Sequence, residues 1–292
     1  MPLFNPKTVE KRLESYSFQP SGQQAARARA WAEACRSGKI RTLKETSLYG
    51  DFAQYILKEI LGYTTVLDGT DYTAAENEPV GNGSVEFALG RFSATKRQVI
   101  APFELKGANT DLDSIMPGRY KTPVQQAWDY AADAPGAEWV LVSNYVELRL
   151  YAFGYGRQRY ESWDLNRASE PRELARIHLL LAADNLLSGK TRSLLQQSER
   201  EDEDITDKLY ADYKELRERL IQTLGDQHLT SGEGAIRHAQ KILDRVLFIA
   251  FAEDQGLLPR ETLRRVFEAR NPFAPQPVWE NFKGLFRQID KG

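Results

Sequence analysis

Residues 99–107 read Val-Ile-Ala-Pro-Phe-Glu-Leu-Lys-Gly, an apolar run that ends in two charged side chains. Successive side chains of a β-strand point to opposite faces of its sheet. A strand here therefore places Glu104 and Lys106 on one face and Phe103 and Leu105 on the other. A carboxylate beside an ammonium group can help to hold a divalent cation and orient a water molecule. With a second carboxylate nearby, this pattern predicts a site that cleaves phosphodiester bonds.

A second carboxylate, Glu86, lies in the strand-like segment 84–90, one hairpin before residues 99–107. Mg²⁺ is usually held by only one or two protein carboxylates, with waters and substrate phosphate completing its shell. Glu86 and Glu104 are therefore the predicted metal ligands. Lys106 is the predicted group that positions the attacking water and offsets charge in the transition state. The alternative is that Glu104 and Lys106 form an ordinary surface ion pair.

Glu45 is a third candidate acid, near the start of a helix predicted over residues 43–61. That helix has apolar residues at three- and four-residue spacing, which predicts one buried stripe. Glu45 lies beside this stripe, where a carboxylate is costly unless it has a partner. The helix dipole, which favours acids in the first turn, gives a structural explanation instead.

Two polar residues four apart, Gln126 and Tyr130, project from one face of a helix predicted to start after Thr122. Pro123 suits the first helical position. We expect Gln126 and Tyr130 to support the site, by contacting DNA backbone or by anchoring the metal ligands. They can equally form the polar edge of an ordinary amphipathic helix.

The order of elements predicts an α/β fold with a mixed sheet flanked by helices. Strands are predicted over 84–92, 98–106, 138–143 and 146–153, the last two joined as a hairpin at Asn144 and Tyr145. After residue 165 the patterns are helical, over 171–188, 205–224, 233–256 and 260–269. The acidic run 198–204 is predicted as a solvated loop or helix start. Two domains are therefore predicted, at residues 1–165 and 166–292, the second all-α.

The bulk composition is that of an ordinary globular protein and excludes several classes of site. The net charge is −2, with −1 in each of the two predicted domains. Any DNA contact must therefore use a local basic patch. Candidates near the site are Arg91, Lys96, Arg97, Lys106, Arg119 and Lys121. The single cysteine, Cys35, excludes a disulfide framework and a Cys-rich zinc site. No signal peptide or membrane-spanning run is evident, so we expect a cytoplasmic protein without a membrane partner.

The ordered set of an acid, E-x-K and Q-x-x-x-Y resembles PD-(D/E)XK nucleases. Longer segments resemble the N-terminal nuclease region and helical connector of single-chain type IIG/IIL restriction–modification enzymes, over nearly the whole chain. These segments are ETSLYGDF at 45–52, LGY at 61–63, FALG at 87–90, ELKG at 104–107, TPVQQAWDYA at 122–131, LVSNY at 141–145, FIAFAEDQGLLP at 248–259 and LFRQIDKG at 285–292.

The resemblance implies a restriction-endonuclease-like fold for the nuclease domain at residues 1–165, and a helical connector at residues 166–292. It further implies a type II site-specific deoxyribonuclease that cleaves double-stranded DNA with Mg²⁺ and serves in phage defence. It also implies a methyltransferase domain and a target-recognition domain C-terminal to the connector, in a longer chain. S-adenosylmethionine is expected only in that methyltransferase part. A transient dimer is expected for double-strand cleavage.

One departure from the family pattern concerns the acid of the second strand. Val85-Glu86 stands where the family usually has Pro-Asp. The extra methylene of glutamate moves the carboxylate, so the site is either intact with a shifted metal or catalytically impaired. Asp68 and Asp71 are alternative acids, although both are predicted in a loop. The competing hypotheses are a DNA-binding or scaffolding remnant of the same architecture and a nuclease directed at RNA or single strands.

Overall fold

The computed structural model describes residues 2–81, 83–115, 118–226, 232–270 and 277–290. The chain divides into two compact units, Met1–Glu203 and Asp204–Gly292. Within the described residues, no helix is both long and apolar enough to cross a membrane.

A six-stranded mixed sheet forms the centre of the first unit. Its strands are β1 (Tyr72–Val80), β2 (Gly83–Phe92), β3 (Arg97–Leu105), β4 (Trp139–Ser143), β5 (Glu147–Ala152) and β6 (Glu161–Asp164), side by side in chain order. Neighbouring strands are antiparallel except β3 and β4, which are parallel. A parallel pair needs a crossover, and helix α5 (Pro123–Asp133) lies between these two strands in the chain. The predicted α/β architecture with a mixed sheet is therefore confirmed.

Helices precede the sheet in the chain and cover one of its faces. They are α1 (Pro6–Glu14), α2 (Gly22–Arg36), α3 (Lys39–Thr42) and α4 (Glu45–Phe52), and α4 continues as a π-helix over Ala53–Ile60. Ser21 caps α2 through a capping box with Gln24, and the chain turns at Gly38 with φ of 75°. The stripe predicted for 43–61 is real: Leu48, Phe52, Ile56 and Ile60 are buried in the core that also contains Phe103. The helix itself begins at Glu45.

Helix α5 starts as its sequence predicts and packs on a separate apolar cluster. Thr122 caps it through a capping box with Gln125. Val124, Ala127 and Ala131 pack with Val140 and Val142 of β4. The capping box thus sets where α5 begins, and the apolar side of the helix packs it on β4.

Beyond β6 the described elements are all helical. They are a 3-10 turn (Leu165–Arg167), α6 (Pro171–Leu181), α7 (Ala183–Leu186), α8 (Lys190–Asp226), α9 (Glu233–Asp254), α10 (Thr262–Glu268) and α11 (Val278–Ile289). The loop or helix start predicted over 198–204 is wrong, because this run lies inside α8. Its acids have partners from α1 and its N-cap: Asn5 donates to Asp202 at 2.7 Å, and Thr8 donates to Glu201. Because these bonds join distant parts of the chain, the local charge pattern could not predict them.

The boundary between the compact units differs from the boundary predicted at 165/166. Leu174, Leu180, Leu186 and Leu195 of α6 to α8 are buried in the same core as Phe103, which explains why the first unit runs on to Glu203. The second unit contains the end of α8 and helices α9, α10 and α11. The last two residues of the motif at 285–292 lie outside the described residues. The functional division into nuclease and connector stays a prediction.

Candidate active site

The alternation predicted for β3 is present, and it separates apolar from charged side chains. Phe103 and Leu105 are fully buried in the main core. Glu104 and Lys106 point away from that core and form an ion pair in which Lys106 Nζ donates to Glu104 Oε1. Lys106 Nζ also donates to the backbone oxygen of Leu105 at 3.1 Å. Both charged residues are buried, Glu104 with 1% and Lys106 with 8% of its surface exposed, which distinguishes this pair from a solvated surface ion pair.

Glu86 is brought to the same site by the pairing of β2 with β3. Phe87 lies opposite Phe103 in this antiparallel pair, and both rings are in the main core. Glu86 precedes Phe87 and Glu104 follows Phe103, so alternation turns both carboxylates away from the core on neighbouring strands. Neighbouring strands are about 4.8 Å apart, and the charge of Glu86 contributes to raising the pKa of Glu104.

Glu45 joins the site from the first turn of α4. A Cβ placed on Gly107 would lie 3.6 Å from Glu45 Oε2, so this carboxylate lies beside the end of the Glu-x-Lys segment. The charge of Glu45 raises the pKa of Glu86 and of Glu104. The structure thus brings together four of the six predicted site residues: Glu45, Glu86, Glu104 and Lys106.

Burial dominates the electrostatics of this cluster. Loss of solvation raises the pKa of Glu104 to about 7, opposed by Lys106 and reinforced by Glu86 and Glu45. Loss of solvation also raises the pKa of the half-buried Glu86, with Lys106 opposing and Glu45 reinforcing the shift. Three carboxyl groups around one ammonium make a site with more acid than base, which a divalent cation would complement.

One buried oxygen provides a test of whether a metal would fit. Glu104 Oε2 is buried and has no hydrogen-bond partner among the described residues. A buried polar atom without a partner is costly and uncommon in native proteins. A hard cation bound between Glu104 and Glu86 would satisfy it with the oxygen ligands that Mg²⁺ prefers. The described residues contain no group of three or more His, Cys, Asp or Glu arranged to hold a metal. The predicted site needs only two protein carboxylates, those of Glu86 and Glu104, so it does not require such a group.

Gln126 and Tyr130 lie together, in a groove beside the acids and not among them. Gln126 Nε2 donates to Tyr130 Oη at 3.3 Å. Tyr130 lies against Gly83 at the start of β2, where an added Cβ would approach its ring to 3.1 Å. Within the described part of the chain, no hydrogen bond joins either side chain to Glu86 or Glu104. Their predicted support of the site would therefore act on substrate or through packing.

The predicted basic patch is divided among separate partners. Arg97 is paired with Glu78, and Lys121 with Asp129 at 2.5 Å. Arg91 donates to the backbone oxygen of Leu187 at 2.8 Å. Of the alternative acids, Asp68 accepts bonds from Thr65 and Lys58, which hold its pKa at about 2.

Two tyrosines that the sequence interpretation did not select hold the acids in place. Tyr49 Oη donates to the backbone oxygen of Glu86 at 2.8 Å, and its ring stacks on Phe87 with centroids 4.6 Å apart. Tyr145 Oη donates to the backbone oxygen of Glu45 at 3.3 Å. Tyr49 follows Glu45 by one helical turn, and this i, i+4 spacing was the available signal. Tyr145 gives no local signal, since its contact is 100 residues away.

No family model, curated protein or solved structure matches the chain, so the resemblance to type IIG/IIL restriction–modification enzymes stays a prediction from the quoted motifs.

Proposed function

We propose that this chain is the Mg²⁺-dependent endonuclease region of a type IIG-like restriction–modification enzyme, a type II site-specific deoxyribonuclease that hydrolyses phosphodiester bonds of double-stranded DNA. The observation that carries the proposal is the buried Glu104 Oε2 without a hydrogen-bond partner, with Glu86 on the neighbouring strand and Lys106 bonded to the other oxygen of Glu104. It is the arrangement in which a cation would replace a missing partner.

In this proposal each residue has a defined task. Glu86 and Glu104 would hold Mg²⁺, which when bound would supply a Lewis acid and lower the pKa of a coordinated water. Lys106 positions the attacking water with its ammonium group and offsets negative charge on the phosphate as the P–O bond to the leaving group breaks. Glu45 accepts hydrogen bonds from water at the rim of the site. Gln126 and Tyr130 contact the DNA backbone.

The wider proposals follow from the resemblance and are separate from the site. The partners would be double-stranded DNA, the methyltransferase and target-recognition domains of a longer chain, and a second copy in a transient dimer during double-strand cleavage. S-adenosylmethionine would bind the methyltransferase part. The protein would act in the cytoplasm, in defence against phage, with residues 166–292 as connector.

A catalytically impaired DNA-binding remnant is the second candidate function. The observation that favours it is the direct bond between Lys106 and Glu104, because it satisfies one oxygen of Glu104 without a cation. The longer Glu86 in place of an aspartate would also shift the second ligand.

Cleavage of duplex DNA by the wild-type chain, Lys106→Ala and Lys58→Ala separates these functions. Lys58 is the matched control because its ion pair with Asp68 lies outside the site. We expect Mg²⁺-dependent cleavage by the wild type, a loss of about 100-fold or more in Lys106→Ala, and nearly wild-type cleavage by Lys58→Ala. Circular dichroism verifies that each variant is folded.

Three outcomes would contradict the proposal. Absence of Mg²⁺-dependent cleavage by the folded wild type would favour the remnant. Undiminished cleavage by Lys106→Ala would remove the assigned role of the lysine. Cleavage of RNA or single-stranded DNA in strict preference to a matched duplex would assign the site to a different substrate.

A further inference from the structure

A groove of 490 Å³ lies at the start of β2, beside the candidate active site. Its walls are the loop segment Gly118–Lys121, one side of α5 and the β1–β2 turn at Val80 and Gly83. This volume is within the range of clefts that hold a ligand of nucleotide size. Gly83 is three residues from Glu86 on β2, about 10 Å along the strand.

One aromatic side chain of the groove is almost fully exposed. Tyr120 has 95% of its surface exposed, and it lies between Arg119 and Lys121 in the chain. Tyr130 and Gln126, both on α5, also line the groove. Exposed aromatic rings are the side chains on which proteins stack unpaired bases.

The charges of the groove favour stacking over phosphate attraction. Lys121 is neutralised by its ion pair with Asp129 at 2.5 Å. Asp133, close to Gly81, also lines the groove, as does Arg119. Because the formal charges of these four side chains sum to zero, the groove adds little salt-sensitive attraction to the neutral hydrogen bonds that Gln126 and Tyr130 can make to the DNA backbone.

We propose that this groove receives an unpaired nucleotide of the DNA strand held at the carboxylates, with the Tyr120 ring stacked on its base. The inference rests on the proposed nuclease function and specifies its substrate: a duplex with a nucleotide out of the stack near the cleaved bond. Bases inside a paired duplex present no free face for such stacking.

The test measures DNA binding in Ca²⁺, which separates binding from cleavage. The probes are a short fluorescent duplex and the same duplex with one extra unpaired thymine. The proteins are the wild type, Tyr120→Ala, Tyr120→Trp and the control Tyr210→Ala, whose tyrosine is 70% exposed on α8 outside the groove.

We expect the wild type, Tyr120→Trp and Tyr210→Ala to bind the bulged probe about fivefold or more tightly than the paired one, and Tyr120→Ala to lose that preference. The preference should persist between about 50 and about 200 mM salt while overall affinity falls. A preference retained in Tyr120→Ala, or absent from the wild type, would overturn the inference.

The failure of this inference and that of the proposed function give different results. If the wild type cleaves paired DNA with Mg²⁺ but shows no preference for the bulged probe, the proposed function stands and the groove inference is wrong. If the wild type prefers the bulged probe but does not cleave DNA with Mg²⁺, the groove binds an unpaired nucleotide and the proposed nuclease function is wrong.

Discussion

At Glu104, burial and the Lys106 ammonium act on one carboxyl group in opposite directions, and burial prevails. The pKa of Glu104 is raised to about 7, above its ordinary value of about 4.3. Between these two values the folded chain binds more protons here than the unfolded chain does. The contribution of Glu104 to stability is therefore complete below the ordinary pKa and is lost as the pH rises through about 7.

Glu104→Gln should remove this pH dependence, because glutamine does not titrate. We expect the loss of unfolding free energy between pH 5 and pH 8 to be smaller in this variant, by up to about 3 kcal/mol. Urea denaturation at the two pH values measures the difference.

Glu59→Gln is the control for this measurement. Its bonds from Arg27 and Gln54 lower the pKa of Glu59, so its contribution is present above its ordinary pKa and is lost only on acidification. The slope between pH 5 and pH 8 should not change in Glu59→Gln. If the unfolding free energy falls by the same amount between pH 5 and pH 8 in Glu104→Gln and in the wild type, Glu104 does not titrate in this range.

At the scale of elements, helix α4 and strand β2 set the separation of Glu45 and Glu86. The Tyr49 hydroxyl ties one element to the other through the backbone oxygen of Glu86. Phenylalanine would keep the stacking on Phe87 and lose only that bond. We expect Tyr49→Phe to need several-fold more Mg²⁺ for half-maximal cleavage, because the carboxylates are then less well positioned.

Tyr63→Phe is a matched control, since Tyr63 Oη also donates to a backbone oxygen, that of Leu181 at 2.9 Å. Both variants should lose about 1 kcal/mol of stability, and only Tyr49→Phe should change the Mg²⁺ requirement. Identical Mg²⁺ titrations of the two variants would show that Tyr49 has a structural role alone.

The elements that sequence interpretation found are those with local signals. Strand β3 has alternation and α5 has a capping box, so both were predicted within a residue or two. Strand β1 was missed because it lies at the sheet edge and contains Glu76, Glu78 and Pro79, which strands disfavour. Strand β6 is only four residues long, and its buried Glu161 accepts bonds from Leu3 and Phe4, over 150 residues away.

At the level of the whole molecule, the four charged residues of the site are brought together from three parts of the chain. Glu45 lies on α4, Glu86 on β2, and Glu104 and Lys106 at the end of β3. The sequence motifs predicted these segments in this order. What the sequence could not supply is the partnering of the cluster: the tyrosine bonds, the burial of Lys106 and the unpartnered oxygen of Glu104. These depend on how the sheet and helices pack, which single-residue patterns do not encode. The shared core of the first unit likewise set its limit at Glu203 rather than at residue 165.

In the proposed site Glu86 and Glu104 hold one divalent cation. Crystals of the chain soaked in Mn²⁺ test it directly, because manganese gives an anomalous signal and takes the same oxygen ligands as magnesium. We predict an anomalous peak within coordination distance of Glu104 Oε2 and the Glu86 carboxylate, lost in Glu104→Gln. A folded chain with no peak between these two carboxylates, or a peak that persists in Glu104→Gln, would contradict the account.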